Sequence, residues 1–230
     1  MSKRNIHIIV VAGGTGSRFG SDVPKQYCML GDRPVLCHTI ERLKRAVPDA
    51  HIITVVSAPM ADHWRQLATD HSCPTGDVVI GGSTRWESVK NALDTITAHG
   101  DSDIVLVHDG ARPLIDATTV DEIIAACKPA TSVVPVTPVT DSLRRLMPDG
   151  SSVAVTRSDY RAVATPQGFM VTDLKCAYTL PYRDSFTDDA SVMAAAGMDA
   201  TTLVESSPRN IKITNPGDIA LASWYISQES

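Results

Sequence analysis

In the N-terminal half of the chain, short runs of Ile, Val and Leu alternate with stretches whose apolar residues recur at helical spacing. The runs Ile6 to Val11, His51 to Val56, Asp77 to Ile80, Asp103 to Val107 and Ser132 to Val136 have the length and β-branched content of strands. The most continuous of them read as strands buried on both faces. Between them, Val35, Leu36, Thr39, Ile40, Leu43 and Val47 mark one helix, and Val89, Ala92, Leu93 and Ile96 another. Alternating β and α elements predict an α/β fold: a doubly wound, mostly parallel sheet with helices on both faces. Ligands of such sheets lie beyond the carboxyl ends of the strands, so functional candidates are expected just after strands.

Past Val136 the pattern changes. Residues Pro138 to Arg157 carry short alternating pieces around the turn Met147-Pro148-Asp149-Gly150, the composition of a β-hairpin, with little apolar surface to anchor it to its own subunit. The chain then returns through Thr165-Pro166-Gln167, helical stretches at Thr172 to Thr179 and Asp189 to Ala196, and a strand near Thr201 to Val204. A last helix is opened by Asn215-Pro216, a cap residue followed by proline at the first helical position. No repeat or linker interrupts the sequence, which predicts a single domain over residues 1–230 with an arm at about 138–157.

Composition narrows the function classes. At 230 residues and 43% hydrophobic the chain can bury a full core, and with only 5% aromatics that core must be aliphatic. A net charge of -5 argues against a broad nucleic-acid surface. No apolar run has the length of a membrane span, and Met1-Ser2-Lys3-Arg4 leads into a strand instead of a secretory signal, so a cytoplasmic protein without nucleic-acid or membrane partners is expected. The five cysteines are scattered, with no Cys-x-x-Cys pair, and read as reduced packing residues.

Chemistry concentrates in loops after strands. Gly13-Gly14-Thr15-Gly16-Ser17-Arg18 follows the first strand, with Pro24-Lys25-Gln26 close behind. Glycines let backbone N-H groups approach an anion, and Arg18 and Lys25 add two cations, so the stretch reads as a phosphate cradle. Two common templates fail on spacing. A P-loop needs Lys directly after its last glycine, and the dinucleotide fingerprint needs Gly-x-Gly-x-x-Gly, which Gly14, Gly16 and Gly20 overshoot by one. Gly81-Gly82 with Arg85 and Ser88 follows the third strand, and His108-Asp109-Gly110-Ala111-Arg112-Pro113 the fourth. Asp109 suits a metal bridging phosphates or a sugar hydroxyl, and equally a solvated loop acid. Arg112 beside it suits a phosphorylated polyol, and His108 reads as an imidazole orienting the loop. Lys212, within Asn210-Ile211-Lys212-Ile213-Thr214, would point away from its apolar neighbours on a strand, and is otherwise a surface lysine. Thr187-Asp188-Asp189-Ala190-Ser191 reads as a capped helix start.

The loop Gly-Gly-x-Gly-x-Arg followed by Pro-Lys resembles the signature of the sugar-phosphate nucleotidyltransferases, and implies their Rossmann-like fold. The wider set of motifs is similar to the 2-C-methyl-D-erythritol 4-phosphate cytidylyltransferases, the CTP-using family of non-mevalonate isoprenoid biosynthesis. That set comprises Pro-Lys-Gln, Gly-Gly-x-x-Arg-x-x-Ser-Val at Gly81 to Val89, His-Asp-x-Ala-Arg-Pro, Thr-Pro-Gln at Thr165, Thr-Asp-Asp-Ala-Ser at Thr187 and Asn-Ile-Lys-Ile-Thr. The resemblance runs from Ile8 to the last helix.

It implies that Arg18, Lys25, Arg157 and Lys212 are catalytic. CTP would meet Ala12, Gly13, Gly14, Thr15, Gly16, Arg18, Lys25, Gly82, Arg85, Ser88, Asp109 and Gly110. The acceptor would meet Asp109, Arg112, Ser142, Arg157, Thr165 and Lys212. Asp109 would hold Mg²⁺, with Mn²⁺ as the alternative. The family's homodimers embrace through their hairpin arms, which implies that Ser142 and Arg157 act in the neighbour's site. Three positions depart from the family pattern: Ser142 where Thr is usual, Gly110 where Ala is usual, and Ala164 where Gln is common. Ribitol 5-phosphate cytidylyltransferases share the fold and nucleotide motifs, and a nucleotide-sensing protein without turnover could be built on the same scaffold. Both remain open from the residues alone.

Overall fold

A computed structural model describes residues 4–14, 23–98, 100 and 102–229. In chain order the elements are β1 (Ile6–Ala12), β2 (Met29–Leu30), β3 (Arg33–Pro34), α1 (Val35–Ala46), β4 (His51–Val56), α2 (Ala61–Asp70), β5 (Asp77–Ile80), α3 (Arg85–Thr95), β6 (Ile104–Asp109), α4 (Ala117–Ala126) and β7 (Thr131–Pro138). They continue with β8 (Arg144–Leu146), β9 (Ser152–Ala154), β10 (Arg161–Val163), β11 (Gln167–Met170), α5 (Val171–Ala177), α6 (Asp189–Ala195), β12 (Ala200–Glu205) and α7 (Pro216–Ser227).

Eight strands form one sheet, in which β1 lies between β4 and β6, parallel to both, and β5 extends the β4 edge in parallel. On the other side β11 runs antiparallel to β6 and β7, and β12 pairs in parallel with β7. The sheet is therefore doubly wound and mostly parallel, as the β/α alternation requires. Connections leave β1 toward β4 on one side while β6 lies on the other, so a crevice opens at the carboxyl ends of β1 and β6.

Period-2 alternation divides these strands between two cores. Ile8, Val10, Ile52, Ile104 and Leu106 face α1, α2 and α4, whose Leu36, Ile40, Trp64, Val120 and Ile123 complete one layer. Ile9, Ile53, Val55, Val105 and Val107 face α3, α5 and α6 through Val89, Leu93, Leu174 and Val192. Close packing demands small residues in places. A Cβ on Gly168 of β11 would lie 2.5 Å from Ile123 and 2.9 Å from Cys127, so α4 can seat on the sheet only over glycine.

The predicted hairpin exists as a separate two-stranded sheet, β8 paired with β9, with Gly150 at φ +82 in its turn. Asn210 to Thr214 pairs with no strand and runs as irregular backbone, tied down by the bond from Ile213 N to Ala111 O at 2.8 Å. The apolar and polar alternation survives because Ile213 is buried in a third, smaller core with Leu30, Val35, Leu114 and Ala222. Burying that side chain turns Lys212 the other way.

The end of β6 is laced to the segment before β11. Thr165 Oγ1 accepts from Asp109 N at 3.0 Å and is hydrogen-bonded to His108 Nδ1, also at 3.0 Å. His108 Nε2 then donates to Arg112 O at 3.2 Å, and Asn210 Nδ2 donates to Thr165 O at 2.9 Å. The carbonyl of Arg112 places a proton on Nε2, and burial disfavours a second proton on Nδ1. Burial pushes the His108 pKa down to about 4, overriding the attraction of Asp109. Because the folded value lies below the unfolded one of about 6.5, the stability His108 contributes is complete above that pH and is lost as pH falls toward the folded value. Denaturant titrations from pH 7 to 4.5 should therefore show wild type losing up to about 1.4 kcal/mol per pH unit more than His108→Gln. Parallel losses in the two proteins would refute a neutral, network-bound imidazole.

Candidate active site

Two cavities meet at the carboxyl ends of β1 and β6. The larger, about 370 Å³, is lined on one side by Ala12, Gly13, Gly14 and Lys25, and on the other by Gly82, Ser83, Thr84, Arg85 and Ser88. The smaller, about 270 Å³, is bounded by Arg112, Thr165, Gln167, Thr187 and Asp188. Arg85, Asp109 and Lys212 belong to both and form the wall between them.

Local sequence builds the larger cavity. The short 3-10 turn Lys25–Tyr27 buries Gln26, whose Nε2 donates to Ala12 O at 2.7 Å and Gly14 O at 2.9 Å, pinning the start of the glycine loop. Opposite, Thr84 and Glu87 form a capping box at the start of α3. A Cβ on Gly82 would fall 2.3 Å from that of Glu87, so the cap and the glycine require each other. Ser88 is buried and donates to Thr84 O at 2.9 Å, and a Cβ on Gly81 would meet its Oγ at 2.6 Å. Thr15, Gly16 and Arg18, expected at the phosphates, lie outside the described residues.

Asp109 is the electrostatic centre. Its carboxylate is 8% exposed and faces three cations: Lys212 Nζ at 2.9 Å and Arg112 Nε at 3.3 Å, both on Oδ2, and Arg85 Nε at 3.9 Å from Oδ1. Burial by itself would raise the pKa, but Lys212, Arg85 and Arg112 outweigh it and hold the carboxyl well below the usual carboxylate range. Asp109 is thus ionised at any working pH. Among the described residues, no hydrogen bond reaches Oδ1.

The surrounding cations are themselves held. Arg112 Nη1 donates to Asn210 O at 2.9 Å, and Arg85 makes a two-pronged pair with Asp189 at 2.6 and 3.1 Å. Burial opposes the Arg85 charge, but Asp189 and then Asp109 keep it protonated. Asp189 has no exposed surface and accepts a further bond from Tyr178 Oη at 2.6 Å.

The structure therefore brings together Ala12, Gly13, Gly14, Lys25, Gly82, Arg85, Ser88, Asp109, Arg112, Thr165 and Lys212. Gly110 lines neither cavity. It is buried, and a Cβ there would lie 2.9 Å from Leu36 and 3.1 Å from Ala12, while its neighbour Ala111 takes the place on the wall. Ser142 and Arg157 also line neither cavity: Arg157 is exposed beside the arm and donates to Thr140 O at 2.6 Å.

Gln26, Thr187, Asp188, Asp189 and Asn210 enter the site without having been assigned a role from sequence. Asp188 does cap α6, accepting from Ser191 N at 2.9 Å, as the helix-start reading expected. Its second oxygen accepts from Gln167 at 2.7 Å on the wall of the smaller cavity. A second acid after the cap is what a helix N-terminus favours anyway, so nothing local marked Asp189.

The sequence profile of the family described as 2-C-methyl-D-erythritol 4-phosphate cytidylyltransferase matches residues 6–228. The enzyme of that name from Phocaeicola vulgatus is 42% identical over 227 residues, covering 96% of this chain and all of its own. The one from Bacteroides thetaiotaomicron is 41% identical, covering 94% of this chain and 97% of its own. The crystal structure of 2-C-methyl-D-erythritol 4-phosphate cytidylyltransferase from Thermus thermophilus superposes with a TM-score of 0.75 at 28% identity, over 97% of this chain and 99% of that one. With the profile match spanning all but the chain ends and the curated relatives aligned over nearly their whole length, this chain belongs to the 2-C-methyl-D-erythritol 4-phosphate cytidylyltransferase family.

Proposed function

We propose that the protein transfers CMP from CTP to 2-C-methyl-D-erythritol 4-phosphate, releasing pyrophosphate and forming 4-diphosphocytidyl-2-C-methyl-D-erythritol. The observation that carries this reading is the pair of cavities sharing one wall of Arg85, Asp109 and Lys212. A glycine-lined cavity with Lys25 suits a nucleoside triphosphate, and a smaller one lined by Arg112, Thr165 and Lys212 suits a polyol phosphate. Family membership supports the methylerythritol acceptor over ribitol phosphate, and supports turnover over nucleotide sensing.

A phosphate monoester has a second pKa of about 6 and is mostly dianionic near neutral pH, so it attacks the α-phosphorus without a general base. His108, wired as a neutral structural group, is not needed for that step. The protein's task is to hold two anions together and neutralise the charge of an in-line transition state. Lys25 and Arg18 serve the triphosphate, and Ser88 and Gly82 the cytidine end. Lys212 lies on the shared wall, where its ammonium can move between Asp109 and the acceptor phosphate. Asp109 Oδ1 can hold Mg²⁺ or Mn²⁺. Among the described residues no cluster of three His, Cys, Asp or Glu side chains joins it, so Asp109 would be the protein's contribution to such an ion. A cation held there would supply positive charge to the triphosphate.

Ser142 and Arg157 fit this reading through a homodimer. The arm is exposed and carries Leu146 at 78% and Val153 at 40% exposure, and an embracing partner would cover them and bring its own Arg157 toward the acceptor. No described helix is long and apolar enough to cross a membrane, and the cytoplasmic setting expected from sequence goes with this chemistry.

A pyrophosphate-release assay with CTP and a panel of polyol phosphates should show 2-C-methyl-D-erythritol 4-phosphate preferred over D-ribitol 5-phosphate by at least about tenfold in kcat/KM, because a site that hydrogen-bonds particular hydroxyls rejects analogues lacking them. Equal use of ribitol phosphate would reassign the acceptor, and no release with any acceptor would leave a binding protein. Lys25→Ala and Arg157→Ala should each cost about a hundredfold alone, yet regain activity when mixed, since some mixed dimers then hold one intact site. No recovery after confirmed subunit exchange would place Arg157 outside the neighbour's site.

A further inference from the structure

Arg85 lines both cavities, so its charge faces two anionic substrates at once. Its position is contested. Two carboxylates lie within reach, Asp189 at 2.6 and 3.1 Å and Asp109 at 3.9 Å, and an unconstrained guanidinium would pair with whichever offers the better fork. Asp189 prevails because it is fully buried and rigid. It follows the Asp188 cap directly at the start of α6, and Tyr178, stacked on Trp86, donates to the oxygen that also receives Arg85 Nη1. Both terminal nitrogens of Arg85 are thereby turned away from Asp109, leaving Nε at the wall.

The pair also joins the two half-sites mechanically. Arg85 opens α3, whose leading loop lines the larger cavity, while Asp189 opens α6, which adjoins the Thr187 and Asp188 wall of the smaller one. A buried ion pair is weak evidence for a role in stability, because desolvation cancels much of its attraction, so the pair needs another reason to stand between two anion sites.

We propose that Asp189 is a positioning residue for the transfer reaction: it fixes the Arg85 guanidinium in the wall between donor and acceptor cavities, keeping it off the free oxygen of Asp109 so that one charge serves both anionic substrates. The inference deepens the function proposed above and rests on it. Asp189 touches neither the reacting atoms nor, through any exposed surface, the substrates. Its effect passes through Arg85.

The test uses the full-length enzyme with Asp189→Asn, which keeps the shape and the bond to Tyr178 but removes the charge. The guanidinium should then turn to Asp109, its nearest remaining carboxylate. The KM for 2-C-methyl-D-erythritol 4-phosphate should rise about tenfold or more, and the KM for CTP should rise with it, because the displaced charge faced both substrates. A crystal structure of the variant should show Arg85 in direct contact with Asp109 Oδ1. A folded variant with the acceptor KM within about twofold of wild type, or with Arg85 unmoved, overturns the proposal. Should Asp189→Asn fail to fold because Arg85 is left uncompensated, Arg85→Gln combined with Asp189→Asn removes both charges and keeps hydrogen-bonding groups. A purely structural pair would then give wild-type acceptor KM, whereas the shared charge predicts the same rise of about tenfold. If wild type itself releases no pyrophosphate, the functional reading fails, and the position of Arg85 in the variant crystal still decides the positioning role.

Discussion

A buried carboxylate can stay ionised only where cations replace the water it has lost, and the site is built around that constraint at Asp109. Desolvating one carboxylate costs several kcal/mol, a penalty offset here by three cations, Arg112 close in sequence and Arg85 and Lys212 from distant parts of the chain. Lys212 and Arg112 take one oxygen, and Arg85 stands off the other. The result is a preorganised field in which charge is already placed before any substrate arrives.

The fold supplies each cation by a different device. Arg112 follows β6 by three residues and is steadied by the carbonyl of Asn210. Lys212 sits on irregular backbone, and its direction comes from burial of Ile213 in the small core under α7. Arg85 begins a helix whose cap also shapes the glycine turn at the nucleotide cavity, and its guanidinium is fixed by Asp189 more than a hundred residues later. Because these contacts are long-range, the site exists only once both halves of the sheet have closed.

That division explains what could be read from the sequence. The strands and the last helix start are local consequences of Ile and Val runs and of Asn215-Pro216, and they appear within a residue or two of where the pattern puts them. The cavity-lining loops were legible because parallel sheets gather ligands at one edge, so Gly13, Gly82 and Asp109 could be placed together from their positions after strands. Pairings across the sheet were not legible. Nothing local in Thr187 to Ser191 says that the first aspartate caps the helix and faces the acceptor cavity while the second is buried against Arg85. Asn210 to Thr214 shows the converse: strand-like alternation arose without a strand, because burial of alternate side chains in an irregular segment leaves the same pattern. Gly110, expected at the nucleotide, is buried against Leu36 and lines neither cavity.

The account stands or falls on the charge of Asp109. Asp109→Asn keeps the shape, the neighbouring Thr165 and His108 bonds and the backbone, while leaving Lys212, Arg112 and Arg85 without their common partner. Steady-state pyrophosphate release with CTP and 2-C-methyl-D-erythritol 4-phosphate should then fall by about a hundredfold or more in kcat/KM, with the fold retained by circular dichroism. Turnover within about threefold of wild type would contradict a site organised around that carboxylate.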